Sequence, residues 1–354
     1  MKDRLLSLDV FRGATIASMI LVNNPGSSAV YAQLEHAEWH GWTFTDTVFP
    51  FFLWMVGLSM TLSFARRVER GDDKRKLFLH VLRRAALIFT LGLLLGGFPF
   101  YSSDRWRIPG VLQRIAVCYV MAASIFLWTR LRGQAAWNVF FLVLYVLLMN
   151  GNYEKETNFA RYVDNLLLRG HMWSHTKTWD PEGVISTLPA ISTALFGVLT
   201  GHLLRSRIEP AAKTAWLLVG GNVLLGMGLI LDVWIPINKN LWTTSYAVFM
   251  AGLASIVFGI CYWIVDVQGW TWWTKPFAIF GMNAIVIYAL SGVLDGLLLV
   301  IKPGGVSLHT IVYTRVFAPL ARPVNASLLF AISFVLVCYA AAYLMYRRKW
   351  FVRI

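Results

Sequence analysis

The sequence predicts an all-α fold: a polytopic transmembrane bundle of about ten spans with both termini in the cytoplasm. Three observations carry this. Of 354 residues, 57% are hydrophobic and only 14% are charged, with a mean hydropathy of +0.59, whereas a soluble domain carries about a quarter charged residues. Apolar runs of about 20 residues, enough to cross a hydrocarbon core of roughly 30 Å, recur along the whole chain. Lysine and arginine alternate between rich and poor loops. No long polar stretch divides the runs, so residues 1–354 read as a single transmembrane domain.

The spans fall at about Leu6–Val22, Thr45–Phe64, Leu82–Phe98, Val111–Trp128, Trp137–Leu148, Ser186–Leu203, Ala215–Val233, Thr244–Val265, Pro276–Val300 and Leu328–Tyr346. The first follows a charged start, Met1-Lys2-Asp3-Arg4, but it contains Asp9 and Arg12 and lacks a small-residue cleavage site. It therefore reads as a retained helix and not as a signal peptide. The fifth is the shortest and weakest.

Orientation follows from the loops, because cytoplasmic loops carry the excess of Lys and Arg. Twenty of the 32 basic residues lie on the side of the N-terminus, among them Lys2, Arg4, eight in Arg66–Arg84, Lys275 and Arg353. Ten lie on the other side, including Arg105 and Arg107, and two, Arg12 and Arg114, fall within spans. This places a basic loop, about 65–81, in the cytoplasm and two loops, about 23–44 and 150–185, outside. The net charge of +14 is then mainly a topology signal and not a nucleic-acid patch. Cys118, Cys261 and Cys338 all lie in apolar segments and read as small core hydrophobes, neither a disulfide framework nor a metal site.

Ionisable residues within spans are costly and usually functional. Asp9 and Arg12 share one helix face, either as an internal ion pair or as part of a site. Arg114, beside Gln113, can clamp a phosphate or pair with Asp9 or Asp46. The stretch "HAEWHGWTFTD" puts His36, Trp39, His40 and Asp46 at the mouth of the second span. An imidazole titrates near neutral pH and serves as base or nucleophile, and a carboxylate such as Asp46 can fix its tautomer. The plainer reading makes Thr45 or Asp46 the cap of the second helix.

"WDPEGVIST" is either a helix start, with Asp180 capping and Pro181 in the first turn, or a carboxylate pair, Asp180 and Glu182, suited to an amine. "IPINKNLW" sets the polar residues Asn238, Lys239 and Asn240 at another external helix edge. Asn283 lies inside a span, where an amide needs a hydrogen-bonding partner. Gly92/Gly96 and Gly197/Gly201 are small-xxx-small pairs, read as ordinary helix packing, with a homodimer as the other use. No Walker A loop, dinucleotide fingerprint, HExxH or metal-spaced CxxC is present.

Taken in order, "RLLSLDVFRGATIASMILVN", "HAEWHGWTFTDTVFPFFLWMVG", "RIPGVLQRIAVCY", "WDPEGVIST", "PINKNLW" and "GMNAIVIY" resemble the heparan-α-glucosaminide N-acetyltransferase family, in a short bacterial-type form. The resemblance implies a multi-pass enzyme of the bacterial inner membrane, surrounded by lipid. It would transfer acetyl from cytosolic acetyl-CoA to the amine of a glucosamine-type acceptor outside, without a metal. His36 matches the family's active histidine, Asn23 the asparagine that ends its first helix, and His40 stands where the family commonly has Asn. On this reading Asp46 orients His36. Asp180, Glu182, Trp39, His40, Asn238, Lys239 and Asn240 face the sugar, and Arg114, Gln113, Arg12, Lys275 and Asn283 face CoA. The rival reading is a transporter of amino sugars or other small solutes, which ten helices with internal polar residues also fit, although no inverted repeat is visible.

The charge bias makes a direct prediction. In a cysteine-free background, a single cysteine at position 36 should react with a membrane-impermeant maleimide from outside, and one at Arg70 only after permeabilisation. The reverse pattern would refute the orientation.

Overall fold

The computed structural model describes residues 5–98 and 106–352. Lys2, Arg4, Arg105 and Arg353, which enter the charge bias, lie outside them. Thirteen α-helices are described: α1 Leu6–Asn23, α2 Phe44–Glu69, α3 Lys74–Gly97, α4 Val111–Trp128, α5 Leu131–Met149, α6 Phe159–Leu168, α7 Thr187–Arg205, α8 Pro210–Asp232, α9 Thr244–Tyr262, α10 Thr274–Met282, α11 Ala284–Val300, α12 Leu308–Val312 and α13 Pro323–Arg347. Nine of these are long and apolar enough to cross a membrane, and the bent pair α10–α11 makes a tenth if it counts as one span. The described residues contain no β-strand beyond an isolated parallel bridge between Gly41 and Asn238.

Local chemistry sets the helix ends. The Asp73 side chain accepts from the Arg75 N–H at 2.8 Å and starts α3, and the Asn158 amide oxygen accepts from the Arg161 N–H at 2.8 Å and starts α6, each satisfying a donor that a helix N-terminus leaves orphaned. Proline opens α8 and α13, where its missing N–H costs nothing. Asn150 in the left-handed region, followed by Gly151, ends α5.

Several helices overrun their hydrophobic runs, since a helix continues past the hydrocarbon boundary wherever its backbone bonds persist. α3 starts at Lys74, eight residues before the apolar run, and α5 is a full 19-residue helix where the sequence suggests a short one. The expected ninth span, Pro276–Val300, is not one straight helix. It bends by 81° between α10 and α11, with Asn283 at the break. A π-helical turn, Trp263–Val267, ends α9, and its Asp266 carboxylate accepts from the Leu6 and Ser7 N–H groups at 3.3 and 3.0 Å, capping α1.

The bundle has two layers. α1, α2, α4, α7 and α9 are mostly buried against one another, while α3, α5, α8 and α13 leave most of their surface to the surroundings. Where backbones approach closest, glycine makes the room. A Cβ on Gly57 would lie 1.8 Å from the Ala194 carbonyl oxygen, and one on Gly197 would lie 1.9 Å from that of Trp54. α2 and α7 are therefore in backbone contact, the usual use of small residues between membrane helices. Gly201 faces Thr61 and Gly92 faces Gln113, so these small-residue positions serve packing inside the chain. The three cysteines are free, with Cys118 and Cys338 buried.

The α2–α7 seam gives the second prediction. Gly197→Val should destabilise the detergent-solubilised protein by about 2 kcal/mol or more through overpacking. Gly220→Ala, where nothing lies within 4 Å, should be neutral or slightly stabilising. Equal unfolding midpoints for the two variants would contradict the close contact.

Candidate active site

The site forms where α2, α4, α7 and α9 begin, at one end of the bundle. α2 starts with a reciprocal capping box, in which the Thr43 side chain bonds the backbone at Asp46 and the Asp46 side chain bonds that of Thr43. Thr43, and not Thr45 or Asp46, is the cap. Asp46 Oδ2 accepts from the Thr43 and Ala37 N–H groups at 3.0 and 3.1 Å and from Thr43 Oγ1 at 3.2 Å. Its Oδ1 lies 2.6 Å from His36 Nδ1. The cap and the histidine partner are thus one residue. The Asp46 side chain is 1% exposed and that of His36 is 48% exposed. A neutral His36 that donates Nδ1–H to this carboxylate leaves its Nε2 lone pair for chemistry.

The loop between His36 and α2 is tied down along its length. Gly41 has φ +93°, a conformation glycine adopts without strain, and its N–H donates to the Ile237 carbonyl at 2.7 Å. Trp39 donates its indole N–H to the Tyr153 carbonyl at 3.0 Å and meets Trp179 edge-on at 5.1 Å, joining the loop before α2 to the segment between α5 and α7. His40 Nδ1 lies 3.4 Å from Asn238 Nδ2. Asn238, fully buried, also accepts from the Leu241 N–H at 2.9 Å and donates its own N–H to Thr243 Oγ1 at 3.1 Å, which makes it a turn organiser. Lys239 and Asn240 are half-buried.

The second cluster is ionic. Arg107 grips Asp180 with two bonds, Nε to Oδ2 at 2.9 Å and Nη2 to Oδ1 at 2.6 Å, and Nη2 also donates to Glu182 Oε2. Asp180 further accepts from the Trp173 and Glu182 N–H groups at 2.8 and 2.9 Å. With four donors and its side chain wholly buried, Asp180 shapes the loop and presents no carboxylate to a ligand. Asp164 of α6 accepts from the Asp180 and Val184 N–H groups at 3.2 and 3.0 Å. A Cβ on Gly183 would lie 2.2 Å from its carboxylate, which is why "DPEG" ends in glycine.

Charge balance follows from burial. Burial alone would raise the Glu182 carboxyl, but Arg107, then Lys239 and Arg114, pull it down to about 2. Burial works against the Arg107 charge, yet Glu182 and Asp180 hold its pKa above the ordinary value. Burial pushes the Asp164 carboxyl up to about 6, against the two backbone N–H groups that favour its ionised form.

Arg114, in the first turn of α4, is 2% exposed. Its Nη2 donates to Ser186 Oγ and to the Gly183 carbonyl, while Nε and Nη1 make no hydrogen bond to the described residues. The guanidinium lies 5.0 Å from the Trp242 ring centroid, and Trp242 packs edge-on against Tyr246 at 5.3 Å. The Tyr246 hydroxyl donates to the Asp46 backbone carbonyl at 2.6 Å. This chain of contacts joins the His36–Asp46 pair to the ionic cluster, and Lys239 is within electrostatic reach of both Asp46 and Glu182. A small apolar cavity of about 10 Å³ lies between α1, α2, α4 and α11, lined by Ile16, Met19, Phe52, Leu112, Ile285 and Tyr288 among others. Tyr288 is in turn within electrostatic reach of Glu182 and Arg107.

Other expected residues lie elsewhere. Arg114 does not group with Arg12 and Lys275. Arg12 donates to Ser59 Oγ at 2.6 Å and lies 3.7 Å from Asp9, and Ser59 is thirteen residues along α2 from Asp46, about 20 Å at 1.5 Å per residue. Lys275, exposed, begins α10 beyond the far end of α9. Asn283 is consumed by the chain itself: Nδ2 donates to the Trp350 carbonyl and Oδ1 accepts from the Val352 N–H, both at 3.0 Å. It ties the helix break to the end of α13. Asn23 is exposed, and the buried asparagine at the end of α1 is its neighbour Asn24. Gln113 is buried against Gly92 and Gly110. Sequence reasoning missed Arg107, Asp164 and Tyr246. Of these only Arg107 carried a signal, as the first residue of the "RIPGVLQR" stretch.

Comparison with known proteins bears on these residues. A family profile described as "Heparan-alpha-glucosaminide N-acetyltransferase, catalytic" matches residues 4–229, a stretch holding His36, Asp46, Arg107, Arg114, Asp164, Asp180 and Glu182. The chain is 30% identical to human heparan-alpha-glucosaminide N-acetyltransferase over 349 residues, which is 80% of this chain and 52% of the human protein. It is 30% identical to the mouse protein of the same name over 357 residues, or 83% of this chain and 54% of that protein. The chain thus spans about half the length of these curated relatives.

The ionic cluster gives the third prediction. Arg107→Gln leaves two buried carboxylates without their cation and should cost about 3 kcal/mol or more at pH 7. A depressed carboxyl stabilises the fold above its ordinary pKa, and that contribution is lost as pH falls through the folded value. The gap between wild type and variant should therefore be full above about pH 4.5 and close toward about pH 2. Asp164, with its raised pKa, works in the opposite sense, its contribution fading as pH rises through about 6. Denaturation midpoints across this range check it, and a pH-independent gap would remove the Glu182–Arg107 pair as the cause.

Proposed function

The chain belongs to the heparan-alpha-glucosaminide N-acetyltransferase catalytic family, and on that premise we propose that it is a transmembrane N-acetyltransferase acting through His36. The acetyl donor is acetyl-CoA, and the acceptor is the amine of a glucosamine-type sugar. The two meet at the His36 end of the bundle, which the loop charges assign to the periplasmic side of a bacterial inner membrane. The observation that carries this reading is the 2.6 Å contact between His36 Nδ1 and a buried Asp46, inside the stretch that matches the family.

The arrangement suits acetyl transfer across two compartments. The charged nucleotide of acetyl-CoA cannot enter hydrocarbon cheaply, so it stays on the side of the basic loop, with Lys275 and Arg12 as candidates for its phosphates. The thioester arm needs a passage between helices, and we place it along the seam of α1, α2, α4 and α11. Asp46 holds the imidazole so that Nε2 reacts. Nε2 then either takes a proton from the sugar ammonium as general base or attacks the thioester carbonyl, forming an acyl-imidazole and releasing CoA thiol. Glu182, within electrostatic reach of Lys239, is the carboxylate left to contact the amine or hydroxyls, because Asp180 is saturated. The Arg114 guanidinium, with its Nε and Nη1 donors unspent, is suited to a carbonyl or anionic oxygen arriving at this end.

A transporter of amino sugars is the second reading, and the broken span at Asn283 is the observation that favours it, since discontinuous helices line transporter sites. Purified protein in detergent separates the two. An acetyltransferase converts labelled acetyl-CoA and glucosamine to product without a membrane; a transporter makes none.

His36→Ala should leave the protein folded and lower turnover by about 10² to 10⁴, the usual worth of a positioned general base. Asp46→Asn should cost less, and His40→Asn should keep activity with altered acceptor preference. Near-normal turnover in His36→Ala would refute the site. Radiolabelled acetyl-CoA without acceptor then distinguishes the routes: protein-bound label that requires His36 and discharges to glucosamine marks the carrier, and activity without such label marks the base.

A further inference from the structure

α2 carries Pro50 in its interior. Proline has no N–H, so it cannot donate to the carbonyl four residues before it, and its ring pushes that carbonyl aside. That carbonyl belongs to Asp46, the residue whose side chain holds His36. A backbone carbonyl left unpaired in a membrane bundle is costly and must find another donor. The donor comes from α9, two hundred residues away: the fully buried Tyr246 hydroxyl lies 2.6 Å from the Asp46 carbonyl oxygen. Tyr246 is itself clamped edge-on by Trp242 at 5.3 Å, and Trp242 by Phe49 of α2 at 5.0 Å and by Thr193 Oγ1 of α7 at 3.1 Å.

We propose that Tyr246 is a positioning residue for the reaction: it takes over the acceptor that Pro50 leaves free and thereby fixes the first turn of α2, with Asp46 and hence His36, at the distance acetyl transfer needs. The inference rests on the reading that His36 does the chemistry. It adds that α9 sets the alignment of the pair through the Asp46 carbonyl, while the hydrogen bond described for the His36 ring goes to Asp46. The charged groups facing Asp46 and Tyr246 are His36, Lys239, Arg114 and Glu182, and the test leaves all of them in place.

Restoring the missing donor provides that test. Pro50→Ala returns an amide N–H to α2 and makes the Tyr246 hydroxyl redundant. Tyr246→Phe is compared in the wild-type and Pro50→Ala backgrounds, with acetyl transfer from labelled acetyl-CoA to glucosamine as one readout. The second readout is the pH profile of His36 carbethoxylation, followed by peptide mass spectrometry, which needs no turnover. In the wild-type background Tyr246→Phe should lower kcat about tenfold, a factor equal to ~1.4 kcal/mol in the barrier, with KM nearly unchanged, and should shift the His36 profile. In the Pro50→Ala background both effects should shrink to less than about twofold, since the two changes act on one acceptor. If Tyr246→Phe does not fold in the wild-type background, a double variant that folds and turns over supports the proposal, and one that also fails to fold overturns it. Unaltered kcat and profile in Tyr246→Phe overturn it, as does a loss of equal size in both backgrounds. A turnover-competent His36→Ala protein would instead sink the functional reading, and the carbethoxylation profile would still report on the Tyr246–Asp46 contact.

Discussion

A carboxylate that is 1% exposed at the first turn of a membrane helix must be surrounded by donors, and at Asp46 this requirement organises the His36 end of the bundle. The chain meets it with the Thr43 amide and hydroxyl, the Ala37 amide and the His36 ring. Two of these, the Thr43 amide and hydroxyl, also cap α2, so the carboxylate that meets His36 is fixed by the start of the helix. The imidazole is held by one oxygen of the carboxylate whose other oxygen caps the helix, and half of its surface remains open to a substrate. Rigidity of the core beneath is supplied by α2 and α7, whose backbones meet at Gly57 and Gly197.

The ionic cluster beside it solves a different problem. Two carboxylates, Asp180 and Glu182, lie buried near Arg107 and Arg114, and a buried charge is tolerated only when paired and hydrogen-bonded. Asp180 is fully committed to Arg107 and to backbone N–H groups, which makes it the keystone of the loop. Glu182 shares Arg107 but sits in a positive field that keeps it ionised. Arg114 has a hydroxyl, a carbonyl and an indole face in place of a direct carboxylate partner. Among these motif residues, then, some build the loop and some are left with capacity to spend on a ligand. Hydrogen-bond saturation, more than residue type, separates the two groups.

Features that depend on neighbours along the chain were legible in the residues alone. Apolar runs of span length gave away the helical class and the nine membrane-length helices among the described residues, because crossing hydrocarbon requires continuous apolar surface with internally satisfied backbone. His36 and Asp46 were legible as a pair because ten residues and a helix start bring them together. The Asp9–Arg12 pair was legible from three-residue spacing for the same reason.

Contacts whose partners come from far along the chain emerge only in the folded bundle. Arg107 reaches Asp180 across 73 residues, and Tyr246 reaches Asp46 across 200. Asn283 spends its amide on a backbone 67 to 69 residues on, at a bend that hydropathy cannot register, since both arms of the break are apolar. Arg114 and Arg12 are alike in sequence, both arginines inside spans, yet they lie at different depths. An apolar run records that a segment is buried and says nothing of which neighbour faces it. Which donor meets which acceptor is a property of the packed bundle.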